Sequence, residues 1–244
     1  MTQNIYDDPA FFAGYSALPR SIGGLDAAPE WPSLRALLPP MRGLRVLDLG
    51  CGFGWFCRWA REAGASRVLG LDVSETMLAR ARATTADPAI AYARQDLEHP
   101  DLGGETFDLA YSSLAFHYIG ALAGLLATVH AALTPGGQLV FSTEHPLTTA
   151  PRHPGWMVDQ RGAQVWPVES YGAEGPRSTD WLAPGVVKQH RMLGTVLNLL
   201  IGAGYAITHV GEWGPDAAQR AAHPEWLAAP DHPVFLLVAA RKTP

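Results

Sequence analysis

Apolar runs and apolar stripes alternate along the middle of this chain, and the alternation predicts strands and helices in turn. Residues 44–49 are apolar apart from Arg45 and Asp48, and predict a first strand. Phe56, Trp59, Ala60 and Ala63 then recur at i, i+3, i+4 and i+7, the spacing of one helix face. Residues 67–71 form a second apolar run, after which Ser74 is a good N-cap for a helix carrying Met77 and Leu78. Residues 90–93, 107–112 and 138–143 predict strands three, four and five. Between the last two, Leu122, Leu125, Leu126, Val129 and Leu133 stripe a helix, with Pro135, Gly136 and Gly137 as its stop. Leu193, Val196, Leu197 and Leu200 stripe another, followed by strands at 205–210 and 234–238. Such repetition demands a mostly parallel α/β sheet with right-handed crossovers and helices on both faces.

Two stretches break the rhythm. Residues 1–43 are rich in Pro, Gly and aromatics, and read as an N-terminal arm with one or two short helices. Residues 145–187 contain Trp156, Trp166, Tyr171 and Trp181 among many Pro and Gly, with no helical period. A long irregular segment in a compact domain is usually functional or disordered, and these aromatics argue against disorder. It follows strand five, so it can fold as a lid over the carboxyl ends of the strands, where open α/β sheets bind ligands. The whole, 1–244, reads as one domain: arm 1–43, core 44–144, lid 145–187 and a closing helix with strands at 188–244.

Composition narrows the class. A chain of 244 residues with 48% hydrophobic and 17% charged residues can bury the core of one large domain. No run approaches the roughly 18 apolar residues of a membrane span, and the first residues lack the basic end and apolar stretch of a signal peptide. A net charge of −5 argues against a general nucleic-acid binder. The two cysteines, Cys51 and Cys57, suggest neither a disulfide framework nor a zinc site, and no metal is expected. The expected location is cytoplasmic.

The candidate chemistry starts at residues 46–54, Val-Leu-Asp-Leu-Gly-Cys-Gly-Phe-Gly, where an apolar strand runs into three alternating glycines. Gly50, Gly52 and Gly54 carry no Cβ to block close approach of a ligand, and Asp72, ending the second strand, is placed to bind ribose hydroxyls. The pattern is G-x-G-x-G with Asp48 two residues ahead. It is neither the dinucleotide G-x-G-x-x-G nor a phosphate loop, and no Tyr-x-x-x-Lys of a nicotinamide oxidoreductase is present.

This motif resembles the signature of the class I S-adenosylmethionine-dependent methyltransferases. The likeness continues in order through residues 69–74, Gln95-Asp96-Leu97, residues 107–113 and residues 133–139. The resemblance implies a Rossmann-like seven-stranded sheet whose last strand runs antiparallel at the far end. It implies S-adenosyl-L-methionine as cofactor, with the loop of Gly50, Cys51, Gly52 and Gly54 on its methionyl part and Asp72 on the ribose. Val73 and Met77 would flank the adenine, with Asp96 and Leu97 at its edge and Ser112 nearby. Asp48 either touches the ligand or braces the loop through backbone N–H groups. Arg20 either reaches the cofactor carboxylate or sits in solvent.

Histidine is the natural base near neutral pH. His117 follows strand four and His145 follows strand five, so both are candidates to serve the acceptor as base or orienting group. Each has the plainer alternative of fixing a loop by hydrogen bonding. Tyr118, Trp166, Tyr171 and His190 are candidate substrate contacts, His190 being read as the start of the helix after the lid. Residues 5–8, 28–32, 144–146 and 187–191 also resemble a group of bacterial methyltransferases, but that likeness brings no acceptor with it. No Asn/Asp-Pro-Pro-Tyr follows strand four, and the paired glutamates of protein-arginine methylation are absent. The expected partner is a small organic acceptor, methylated on oxygen, nitrogen or carbon, with no nucleic acid and no membrane. A homo-oligomer is compatible with the sequence, and the competing reading is a non-catalytic adenosylmethionine-binding or regulatory module.

Overall fold

The computed structural model describes residues 3–223 and 232–243, so the first two residues of the expected arm lie outside it. Three short helices, α1 (Pro9–Ser16), α2 (Pro19–Gly23) and α3 (Trp31–Arg35), precede the sheet. Strands and helices then alternate, except that β4 follows β3 with no helix between them: β1 (Arg45–Leu49), α4 (Trp55–Glu62), β2 (Arg67–Asp72), α5 (Glu75–Ala83), β3 (Ile90–Arg94), β4 (Phe107–Ser113), α6 (Leu122–Ala132) and β5 (Leu133–Glu144). The Ser74 side chain caps α5 by accepting from Met77 N–H, as its position predicts.

Three expectations need correction. The stop expected at 135–137 lies inside β5: the register on β4 jumps from Leu133 to Gln138, so the Pro-Gly-Gly is absorbed as a bulge. The last strand, β11 (Phe235–Lys242), is antiparallel but does not lie at the far end. It sits between β5 and β10 (Tyr205–Trp213) in the order β10-β11-β5-β4-β1-β2-β3. Five consecutive residues from Leu236 to Ala240 are buried, which needs cover on both faces, whereas β10 is mostly exposed and suits the edge.

Residues 145–187 are not irregular throughout. They hold α7 (Pro146–Thr149), the small hairpin of β6 (Met157–Val158) and β7 (Gln164–Val165), and a longer hairpin of β8 (Gly175–Trp181) and β9 (Ala183–His190). His190 therefore ends a strand, and the next helix, α8 (Leu193–Gly202), begins three residues later. A short helix, α9 (Ala217–Ala222), follows β10.

The sheet separates two apolar layers. One packs Leu47, Phe116, Leu125, Phe141 and Leu200 under α6 and α8. The other packs Val46, Phe56 and Leu109 under α4 and draws in Trp31 and Leu34 from the arm. Trp31 and Leu34 thus anchor the arm to the core, while its earlier residues lie at the carboxyl edge of the sheet.

Candidate active site at the carboxyl edge of the sheet

The loop between β1 and α4 turns because Gly50, Gly52 and Gly54 all adopt positive φ, at 79°, 51° and 72°. Space is equally restrictive. A Cβ on Gly54 would lie 2.1 Å from the Tyr92 hydroxyl oxygen, and one on Gly50 would lie 2.5 Å from the Ala115 Cβ. Gly50 and Cys51 donate their N–H groups to the Leu71 carbonyl at 2.8 and 2.9 Å. Asp72 completes the lock: Oδ2 accepts from Gly52 N at 2.8 Å and Oδ1 from Ser74 N at 2.9 Å. Burial raises the Asp72 carboxyl to about 6 despite these hydrogen bonds. Burial likewise pushes Asp48 up to about 7; its Oδ2 accepts from the Cys57 thiol at 3.1 Å. No backbone N–H of the loop reaches Asp48, so its bracing contact runs to α4.

A cavity of about 400 Å³ opens beside this loop. Asp48, Gly50, Cys51, Gly52, Asp72, Val73, Met77, Asp96 and Leu97 all line it, so the structure brings nine of the expected cofactor residues together. Gly54 and Ser112 do not line it. Gly54 is instead the left-handed residue that starts α4, and Ser112 Oγ donates to the Leu49 carbonyl at 2.7 Å, tying β4 to β1.

The roof comes from the arm and from the β8–β9 hairpin. Gln3 donates from Nε2 to the Gly185 carbonyl and accepts from Val187 N–H, both at 2.9 Å, so the arm is joined to β9. Asp7 Oδ1 accepts from the Ser74 hydroxyl at 2.5 Å and from Thr76 N at 3.1 Å, fastening the arm to the start of α5. Against its partial burial, those hydrogen bonds hold the Asp7 carboxyl down at about 2. Tyr6 packs edge-on to Tyr15 and Tyr118, with ring centroids 5.1 and 6.0 Å away, and Trp181 of β8 closes on Phe11 and Tyr15. Tyr6, Tyr15, Tyr118, Trp181 and Phe235 all line the cavity. Arg20 lines it too, held at 3.0 Å by the buried Glu30.

The histidines separate. His117 is buried at the cavity wall, and its Nδ1 accepts from Glu144 N at 3.3 Å. A ring nitrogen that accepts a backbone N–H carries no proton, so neutral His117 holds its hydrogen on Nε2. Burial lowers its pKa to about 4, which keeps the ring neutral. Nε2 lies 4.0 Å from Glu144 Oε1, which also takes Lys188 Nζ at 2.5 Å.

His145 does not reach the cavity. Its Nδ1 caps α7 by accepting from Leu147 N, and Nε2 pairs with Glu212 Oε1 at 2.8 Å. Both ring nitrogens are occupied in holding the chain after β5. His190, fully buried, is similarly consumed between the Thr149 hydroxyl and the Tyr171 carbonyl. Tyr171 accepts Leu193 N–H at its hydroxyl, and Trp166 donates Nε1 to the Leu147 carbonyl. None of these four lines the cavity. Of the expected acceptor-side residues, His117 and Tyr118 remain.

Glu144, Tyr6 and Tyr15 were not singled out as site residues, yet all line the cavity. One signal was available for Glu144: an acid closing an apolar strand at the carboxyl edge, the same placement as Asp72. Among the described residues no group of three or more His, Cys, Asp or Glu is placed to hold a metal ion, and no described helix is long and apolar enough to cross a membrane.

Residues 47–141 match the family model described as a methyltransferase domain. The crystal structure of an S-adenosylmethionine-dependent methyltransferase from Mesorhizobium loti superposes with a TM-score of 0.86 at 60% identity, covering 90% of this chain and all of that one. The chain belongs to the S-adenosylmethionine-dependent methyltransferases. An uncharacterized protein of Haemophilus influenzae is 34% identical over 98% of this methyltransferase and 97% of its own length. The malonyl-[acyl-carrier protein] O-methyltransferase of Pectobacterium atrosepticum is 41% identical over 110 residues, but this match spans only 45% of the present methyltransferase and 42% of that enzyme. S-adenosyl-L-methionine is accordingly the cofactor, and the nine residues around the glycine loop fit it. Gly50 and Gly52 leave room for the ligand, Asp72 ends β2 beside them, and Val73 and Met77 supply an apolar wall.

Proposed function

We propose that this methyltransferase transfers the methyl group to a small organic acceptor held beneath the arm and the β8–β9 hairpin. The single observation that carries the reading is the continuous cavity, which runs from the glycine loop and Asp72 to an aromatic wall of Tyr6, Tyr15, Tyr118 and Trp181. The cofactor supplies an already activated methyl, so the protein has to hold, align and dry the reactants. In this reading Gly50, Cys51, Gly52 and Arg20 hold the methionyl part, Asp72 the ribose, and Val73, Met77, Asp96 and Leu97 the adenine. His117 presents its Nε2–H as an orienting donor. A ring whose other nitrogen is tied to the backbone, and which stays neutral down to about pH 4, is poorly suited to collect a proton.

Arm and hairpin residues roof part of the cavity, whose volume of about 400 Å³ favours a small acceptor over a polymer. The test is to incubate the protein with S-adenosylmethionine and a panel of small amines, alcohols and acids, and to follow S-adenosylhomocysteine by mass spectrometry. Turnover with one class supports the reading. Tight cofactor binding with no turnover on any class would favour the non-catalytic binding module.

A further inference from the structure

The acceptor end of the cavity carries a chemical bias. Around the whole cavity the described Asp, Glu, Lys and Arg side chains are four carboxyl groups, Asp48, Asp72, Asp96 and Glu144, against one guanidinium, Arg20, which is already paired with Glu30. Glu144 alone among the four stands on the acceptor side, beside His117 and Tyr118. Lys188 holds it from the hairpin through Oε1, while no described residue hydrogen-bonds its Oε2. Burial pushes the Glu144 carboxyl up, but the His117 ring and the Lys188 ammonium beside it bring it below the usual glutamate range, so it is an anion at neutral pH. The same corner already receives an ammonium: Lys188 Nζ lies 5.2 Å from the Trp181 ring centroid. Ring faces and a fixed carboxylate together are the chemistry that recognises amines.

We infer that the acceptor is an amine on an apolar or aromatic body, with its nitrogen seated at Glu144 Oε2 inside the rings of Tyr6, Tyr15, Tyr118 and Trp181. This rests on the methyl-transfer reading above and names its substrate class. A carboxylate acceptor would face Glu144 as a like charge, which costs binding. The amine reacts as the free base, its ammonium proton having gone to solvent beforehand. The nitrogen lone pair forms the new N–C bond as the C–S bond breaks, with that electron pair staying on sulfur. The methylated nitrogen takes over the positive charge that sulfur gives up, and the Glu144 carboxylate offsets it.

The experiment saturates the protein with S-adenosylhomocysteine and titrates benzylamine, benzyl alcohol and benzoate by calorimetry. Benzylamine should bind ~10-fold or more tighter than benzoate, the scale of one well-placed charge pair. In Glu144→Gln, which frees Lys188, that preference should shrink or reverse. Glu144→Asp, which keeps the charge, should retain it. Benzoate binding as well as benzylamine in the unaltered protein, or no benzylamine binding at millimolar concentration, overturns the inference without needing any variant to fold. An unchanged preference in a folded Glu144→Gln protein overturns it as well. Failure of S-adenosylhomocysteine itself to bind would instead remove the underlying function.

Discussion

Asp72 carries more than a ligand contact. Its two oxygens hold Gly52 and Ser74, so the same carboxylate shapes the glycine loop and the start of α5. Asp72→Ala should weaken S-adenosylhomocysteine binding by about 1.5–3 kcal/mol, the range for hydrogen bonds to a charged group, and calorimetry measures it. Asp48 offers a cleaner electrostatic test. Its carboxyl is raised from 3.8 to about 7 by burial, so between those values the folded protein holds a proton that the unfolded chain has released. Its contribution to stability is therefore fully present below pH ~4 and is lost as pH rises towards 7. Asp48→Asn should gain on the unaltered protein across that window, as read by denaturant melts at several pH values. A gain that shrinks with rising pH would contradict the assigned burial. For His117, held neutral with its pKa near 4, the rate should show no ionisation limb around the ordinary histidine value of 6.5. A pH–rate profile with such a limb, removed by His117→Gln, would return it to the role of base.

At the scale of elements, the roof is the informative part. Gln3 and Asp7 fasten the arm at opposite sides of the cavity, to the β8–β9 hairpin and to α5. Asp7→Ala should speed protease cleavage in the first twenty or so residues, and added S-adenosylhomocysteine should slow it in the unaltered protein. Cleavage indifferent to both changes would separate the arm from the cofactor. The five core strands were legible because each is an apolar run bounded by turn residues, and the glycine loop because its acid and glycines sit at fixed offsets. The hairpin was not. Its inward residues are Arg177, Val186, Lys188 and His190, so the period of two is present in burial but mostly written in polar side chains. The position of β11 was hidden for a related reason. An apolar run states that both faces are covered, but not which neighbours cover its edges.

The whole molecule divides into a cofactor side and an acceptor side of different sequence character. The match to the malonyl-[acyl-carrier protein] enzyme spans less than half of either chain, whereas the Mesorhizobium structure covers nearly all of this one. Nine of the residues expected around the cofactor meet at one cavity because a ligand lying against a strand-to-helix turn demands small residues and an acid at fixed offsets. His145, His190, Trp166 and Tyr171 misled because histidines and aromatics after parallel strands serve equally well as internal ties. Only the fold shows that Leu147, Thr149, Glu212 and the chain's own carbonyls take up their polar atoms.

The two hydrogen bonds of Gln3 span 182 and 184 residues of chain. On a ribosome, the arm emerges first and its partner strand only after β1 to β5 have been made. Bringing such distant segments together carries a loop-closure cost, and few contacts repay it early. The latch should therefore be among the last features to form. By the same account it is among the first to let go, leaving the seven strands undisturbed while the chamber beneath them exchanges its contents.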